Sequence, residues 1–151
     1  MALSRNKTLC LLTLNTHSLM HEDNEGCLQT LADLMIREQA DVVALQEVNQ
    51  KTSETPAEAH RLSSLGFVSC GSARPVREGN YALRLSQILS DRGRPYAWTW
   101  GFAHEGYATF DEGLALFSSS PILETRLKDI SRESRPGARI IRRRLAGIRT
   151  A

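Results

Sequence analysis

The sequence predicts a domain of mixed α and β structure, a sheet with helices against it, and three stretches carry that reading. Residues 8–14, TLCLLTL, are dense in apolar and β-compatible side chains and read as a buried strand. Gly26 to Gln39 sets Leu28, Leu31 and Met35 at i, i+3 and i+7 with Leu34 beside them, an amphipathic helix. Asp41 to Glu47, DVVALQE, is a second apolar run that suits a strand buried on both faces. Strand, helix and strand with short connections fit a βαβ unit, and equally the mixed sheet of an α+β fold.

The remaining elements follow in order. NTHSLMHEDNE, 15–25, is a polar loop between the first strand and the helix. After the second strand, residues 49–60 form a polar loop with Pro56, leading into a short helix over Glu58–Leu65 that Gly66 ends. Phe67–Cys70 is a brief strand and 71–79 a loose, turn-rich stretch. Asn80–Asp91 is a helix with Tyr81, Leu85, Ile88 and Leu89 on one face, Asn80 as its N-cap and Gly93 as its stop. Tyr96–Phe102 alternates aromatic and small residues as a strand does, so at least one of Trp98 and Trp100 belongs to the core. Residues 103–112 read as a loop and Gly113–Ser118 as a strand closed by a turn at Ser120-Pro121. Leu123–Ile130 and Arg144–Arg149 are further strands, the second entered through a Pro136-Gly137 turn.

Composition narrows the class. A chain of 151 residues that is 41% apolar and 24% charged can bury one sizeable core. No apolar run approaches the roughly 18 to 20 residues that cross a bilayer. The basic, then apolar, N-terminus leads straight into Asn15-Thr16-His17 without a small-residue cleavage site, so a cytoplasmic protein is expected. Three widely spaced cysteines, Cys10, Cys27 and Cys70, argue against a disulfide framework or a zinc knuckle and for reduced, mostly buried thiols. Between Arg132 and Arg149 seven arginines face one acid, Glu133, which suits either a phosphate-bearing partner or a charged, aggregation-resistant edge strand.

Two polar groups stand at the ends of the first two strands: Asn15 after TLCLLTL, and Glu47 at the tip of DVVALQE. Strand ends in open sheets are common ligand sites, and a glutamate beside an amide suits a hard cation whose coordination is completed by water and phosphate oxygens. The plainer alternative is a turn-capping Asn15 and a solvated Glu47. His17 and His21, four apart, lack the helical periodicity of a zinc pair; His17 fits the mouth of a cleft better. His104 reads as an exposed loop histidine.

LTLNTHS at 12–18, DVVALQEVNQ at 41–50 and DEGLALFSSSPI at 111–122, in this order and spacing, resemble the endonuclease/exonuclease/phosphatase superfamily. That metal-dependent group shares the fold of pancreatic deoxyribonuclease, apurinic endonucleases, bacterial sphingomyelinases and inositol polyphosphate 5-phosphatases. The stretch YAWTWGFAHEGYATFDEGLALFS is similar to bacterial members. The resemblance implies an α+β fold, a partial two-sheet sandwich of the deoxyribonuclease-like type with about one mixed sheet and its flanking helices. It implies that Glu47 ligates Mg2+ or Mn2+, that Asn15 belongs to the same metal site and orders metal and phosphate, and that Glu112 lines the substrate cleft. Gln46 would orient Glu47.

Family members also carry an Asp-x-Asn pair and a terminal Asp-His pair, which supply the general base and transition-state contacts; neither occurs here. Residues 1–151 are therefore expected to be the N-terminal portion of one such domain, a fragment of a Mg-dependent phosphoester hydrolase with little activity alone. An exposed sheet face would favour self-association. The alternative is a non-catalytic binding module with a basic edge for nucleic acid or another acidic partner. Nucleic acid, phospholipid head groups and inositol phosphates all remain open as substrates.

Overall fold

The computed structural model describes residues 8–20, 22–130 and 144–151. Its elements are β1 (Leu11–Asn15), α1 (Asn24–Arg37), β2 (Val42–Lys51), α2 (Ala59–Ser64), α3 (Tyr81–Asp91), β3 (Ala97–Gly106), β4 (Phe110–Ser118), β5 (Ile122–Asp129) and β6 (Arg144–Thr150). Four strands form a mixed sheet in the order β1-β2-β4-β3, with β1 parallel to β2 and the other pairs antiparallel. β5 and β6 pair as a separate two-stranded sheet. This is the α+β architecture, a partial two-sheet arrangement. His21, the Pro136-Gly137 turn and most of the arginine-rich stretch lie outside the described residues.

The helices form where local chemistry allows. Asp23 caps α1 by accepting a 2.8 Å bond from the Gly26 N–H, and Leu28, Leu31, Ala32 and Met35 turn inward. Asn80 caps α3 in the same way, accepting from the Ala82 and Leu83 N–H groups. Asn80 also donates to buried Gln50 on β2 at 2.8 Å, so the cap ties the helix to the sheet. Gly66 ends the α2 segment at φ +78°, and its backbone lies against the Tyr96 carbonyl, where a side chain would not fit.

One face of the sheet is dry. Val43, Leu45, Trp98, Trp100 and Phe117 meet Leu28, Met35, Leu83, Leu85 and Leu89 from α1 and α3. Both tryptophans are core residues, and each indole N–H donates to a backbone carbonyl, Trp98 to Leu65 and Trp100 to Val48, both at 2.9 Å. A Cβ at Gly113 would overlap the Trp100 indole nitrogen, so the glycine that leads β4 makes room for that side chain.

Several sequence expectations change. Phe67–Cys70 is not a strand, since only Phe67 bridges to Trp98, and the three cysteines are half-buried and not mostly buried. β1 is not buried: it is an edge strand, with Leu11 66% exposed, because α1 covers one face and nothing in the described residues pairs its outer edge. From Val42 to Gln46 β2 is fully buried only at alternate residues, and it runs on past Glu47 to Lys51, with Val48, Asn49 and Gln50 all buried. Residues 103–112 are not a loop, since β3 and β4 extend as a hairpin as far as a turn at 107–109. Finally, 71–79 is not loose. Its segment is pinned by the Arg77 N–H on Gln50, by Gln50 Nε2 on the Pro75 carbonyl and by the Gly79 N–H on Glu54. Gln50 and Asp111, 3.1 Å apart and fully buried, make this a polar node within the core.

Candidate active site

Glu47 does not end its strand. β1 stops at Asn15, opposite Gln46, and Glu47 is the first residue of β2 beyond that stop. At the same place the pairing of β2 with β4 shifts register between Leu45 and Val48, a β-bulge, and Glu47 takes φ +53°. A left-handed backbone is uncommon for a glutamate and is kept only where the surroundings fix it. Here the side chain leaves the sheet at a gap in the ladder, free of a flanking strand.

Its carboxylate is held from the β1 side. Asn15 Nδ2 donates to Oε1 at 2.8 Å, and His17 Nδ1 lies 3.0 Å from Oε2. Asn15 Oδ1 accepts the His17 N–H at 3.0 Å, which closes a ring of contacts among the three residues. The Asn15 hydrogen bond, with the hydrogen bond and charge of His17 and the charge of His104 behind it, holds the Glu47 carboxyl below the usual carboxylate range, against a smaller opposing push from burial. Glu47 is therefore the anion at neutral pH.

Glu112 reaches the same place from β4. Glu112 is paired in register with Asn49 on one side and His104 on the other, so the three form a row across the sheet. His104 Nε2 stands 2.9 Å from Glu112 Oε1. Glu47, Glu112, Asn49, His17, Met20, Gly106, Tyr107 and Phe110 line one cavity of about 140 Å³. The hairpin turn at its rim puts two non-glycine residues, Tyr107 and Ala108, at φ +51° and +56°, and Tyr107 is 83% exposed there. A larger, mostly apolar cavity of about 470 Å³ lies on the far side of Asn15, between the β1 edge and α1.

The structure thus brings Asn15, Glu47 and Glu112 together, and adds His17, His104 and Asn49. Gln46 is turned elsewhere: its amide donates to Thr13 and to the Ala44 carbonyl, not to Glu47. His104 was hidden by reading 103–112 as a loop; on a strand, two-residue alternation sets it opposite Glu112. Asn49 carries a clear signal in the structure. Its Oδ1 is buried and has no hydrogen-bond partner among the described residues, and Asn49 shares the cavity lining with Glu47 and Glu112. Among the described residues no three His, Cys, Asp or Glu side chains cluster as a ready-made metal site, and no helix is long and apolar enough to cross a membrane.

Residues 12–150 match the model of the Endonuclease/Exonuclease/phosphatase family. Among solved structures the chain is similar to an endonuclease/exonuclease/phosphatase family protein from Leptotrichia buccalis C-1013-b, with TM-score 0.76 and 24% identity over 95% of this chain and 49% of that one. It is also similar to the endonuclease/exonuclease/phosphatase from Beutenbergia cavernae DSM 12333, with TM-score 0.61 and 20% identity over 94% of this chain and 34% of that one. The chain spans about half the length of the first and a third of the second, and at these identities the likeness is one of fold. No curated protein sequence matches it.

Proposed function

The chain belongs to the endonuclease/exonuclease/phosphatase family, whose members act on phosphoester substrates, and from that premise we propose that residues 1–151 are the N-terminal, metal-holding portion of a Mg2+-dependent phosphoester hydrolase domain. The observation that carries the reading is Glu47: an ionised carboxylate on a bulge, oriented by Asn15 and His17 toward a cavity shared with Glu112. The donors fit Mg2+ or Mn2+. All are hard oxygens, and Asn49, whose buried Oδ1 has no hydrogen-bond partner among the described residues, shares their cavity lining. Mg2+ commonly takes one or two protein carboxylates and fills its octahedron with water and substrate phosphate oxygens. Bound there, the ion would supply charge neutralisation on the phosphate and an activated water.

The chain's own residues have definable tasks in this reading. Glu47 holds the charge, and Asn15 keeps its carboxylate aimed. Glu112 and His104, joined at 2.9 Å, form the opposite wall, where a phosphate oxygen or leaving group would be received. The Asp-x-Asn and Asp-His pairs that the family uses for the general base are not among these residues, so hydrolysis by them alone is expected to be little or none.

Titrating MnCl2 into the 151-residue protein, beside hydrolysis of bis(p-nitrophenyl) phosphate, tests this. Binding in the wild type that Glu47→Gln abolishes, without turnover, is the expected result. No Mn2+ binding in the wild type would overturn the metal reading. Robust turnover lost in Glu47→Ala would overturn the inactivity. Metal-independent binding of nucleic acid, unchanged by Glu47→Gln, would favour a binding module instead.

A further inference from the structure

The bulge that presents Glu47 has a local problem. At the bulge, where β1 has ended and β2 and β4 slip register, the Glu47 and Val48 carbonyls and the Asn49 N–H take their partners from side chains, and unpaired groups in the interior are costly. Three side chains solve it. The single Thr16 hydroxyl hydrogen is shared between the Gln46 and Glu47 carbonyls, each 3.0 Å from Oγ1. Trp100 Nε1 donates to the Val48 carbonyl at 2.9 Å.

The third is Ser18, which is fully buried. Its hydroxyl donates to the Glu47 carbonyl at 2.7 Å and accepts the Asn49 N–H at 2.8 Å. One oxygen thus bridges the backbone on both sides of Val48. Asn49 Nδ2 returns a bond of 3.1 Å to the Ser18 carbonyl, so the clasp is closed in both directions. The Glu47 carbonyl accepts from Thr16 and from Ser18, and that carbonyl belongs to the residue whose φ is +53°.

We propose that Ser18 is a positioning residue for Glu47: its hydroxyl locks the bulge so that the carboxylate leaves the sheet in the direction set by the left-handed backbone. Ser18 does not touch the carboxylate and is not itself among the residues that line the cavity; its hydroxyl acts on Glu47 through the main chain. Alanine at 18 leaves the Asn49 N–H without its acceptor and the Glu47 carbonyl with one donor in place of two, and the bulge relaxes toward ordinary extended geometry. A hydroxyl is required, because the bridge needs a donor and an acceptor on one small atom. The inference rests on Glu47 as the metal-holding carboxylate only for its consequence on metal binding; the backbone claim stands by itself.

The test is Ser18→Ala with Ser18→Cys as the near-isosteric partner, each compared with the wild type by two readouts. The first is the Glu47 amide–Hα coupling, with the exchange rate of the Asn49 amide, by NMR without metal. The second is Mn2+ affinity by electron paramagnetic resonance. In Ser18→Ala the Glu47 coupling should shift, the Asn49 amide should lose protection, and Mn2+ affinity should fall on the order of 10-fold, as for other residues that orient a metal ligand. Ser18→Thr should restore all three. Unchanged coupling and affinity in Ser18→Ala would overturn the proposal. If Ser18→Ala does not fold, Ser18→Cys, which keeps the volume and weakens both bonds, must show the same shifts in smaller measure, and wild-type values there would overturn it as well. A wild type that binds no Mn2+ defeats the metal reading, and the NMR comparison then decides the positioning role.

Discussion

On the helix side of the four-stranded sheet, Val43, Leu45, Trp98, Trp100 and Phe117 are out of water. On the other side, Leu11 is 66% exposed at the β1 end of the sheet, and Leu114 and Leu116 of β4 are only half-buried. β5 covers part of that face, with Leu127 packed on Gly101 of β3. The helix side carries both tryptophans and Phe117 and is fully covered, whereas the leucines of the other side are covered only in part. Stability is concentrated on the helix side, and the Glu47 carboxylate emerges where β1 stops and the covered region gives out. Rigidity behind and openness in front is what a site of this kind needs.

The largest blow to this contrast should come from Trp98→Ala. Trp98 stacks on Phe117 at 5.9 Å between ring centroids, tilts against Phe67 at 4.8 Å and is fully buried. Its removal should cost about 3–5 kcal/mol, read from the urea midpoint. A loss below ~1 kcal/mol would mean the helix side is not the seat of stability.

A middle-sized effect is expected from Tyr81→Phe at high pH. Burial pushes the Tyr81 phenol up to about 12 from an ordinary value of 10.0. The unfolded chain releases this proton first, so the stabilisation is complete below pH ~10 and is lost as pH rises toward ~12. The alkaline loss should be on the order of 2 kcal/mol in the wild type and flattened in Tyr81→Phe. Equal slopes in the two proteins would show that the phenol is not held dry.

The smallest change in stability belongs to the open face. Leu11→Lys should leave the urea midpoint within about 0.5 kcal/mol of wild type while raising the monomer fraction in light scattering. An unaltered monomer fraction would place any self-association elsewhere.

Some of this was written plainly in the sequence. The amphipathic spacing of α1, the Asn80 cap of α3 and the alternation around Trp98 and Trp100 each follow from side-chain chemistry and period. Asn15 and Glu47 were legible as polar tips on apolar runs. The bulge was not, because nothing in QEV announces a glutamate at positive φ; that conformation comes from Thr16, Ser18 and Trp100, residues distant in sequence. For the same reason Thr16 and Ser18 read as loop polarity while they are buried clamps. The exposure of β1 was hidden because an apolar run reports what a strand could bury and not which of its faces is covered. His104 was missed because polar residues on a projecting hairpin look like a loop until the partner strand is known.

Trp100 gives the molecule a built-in optical reporter. Its indole is sealed in the core and its N–H ends on the Val48 carbonyl, one residue from Glu47, while Trp98 ends on Leu65 in a different part of the fold. Indole emission responds to that hydrogen bond. In a Trp98→Phe background, the emission wavelength and lifetime of a single native chromophore would follow the bulge as it loosens or tightens, with no label near the site.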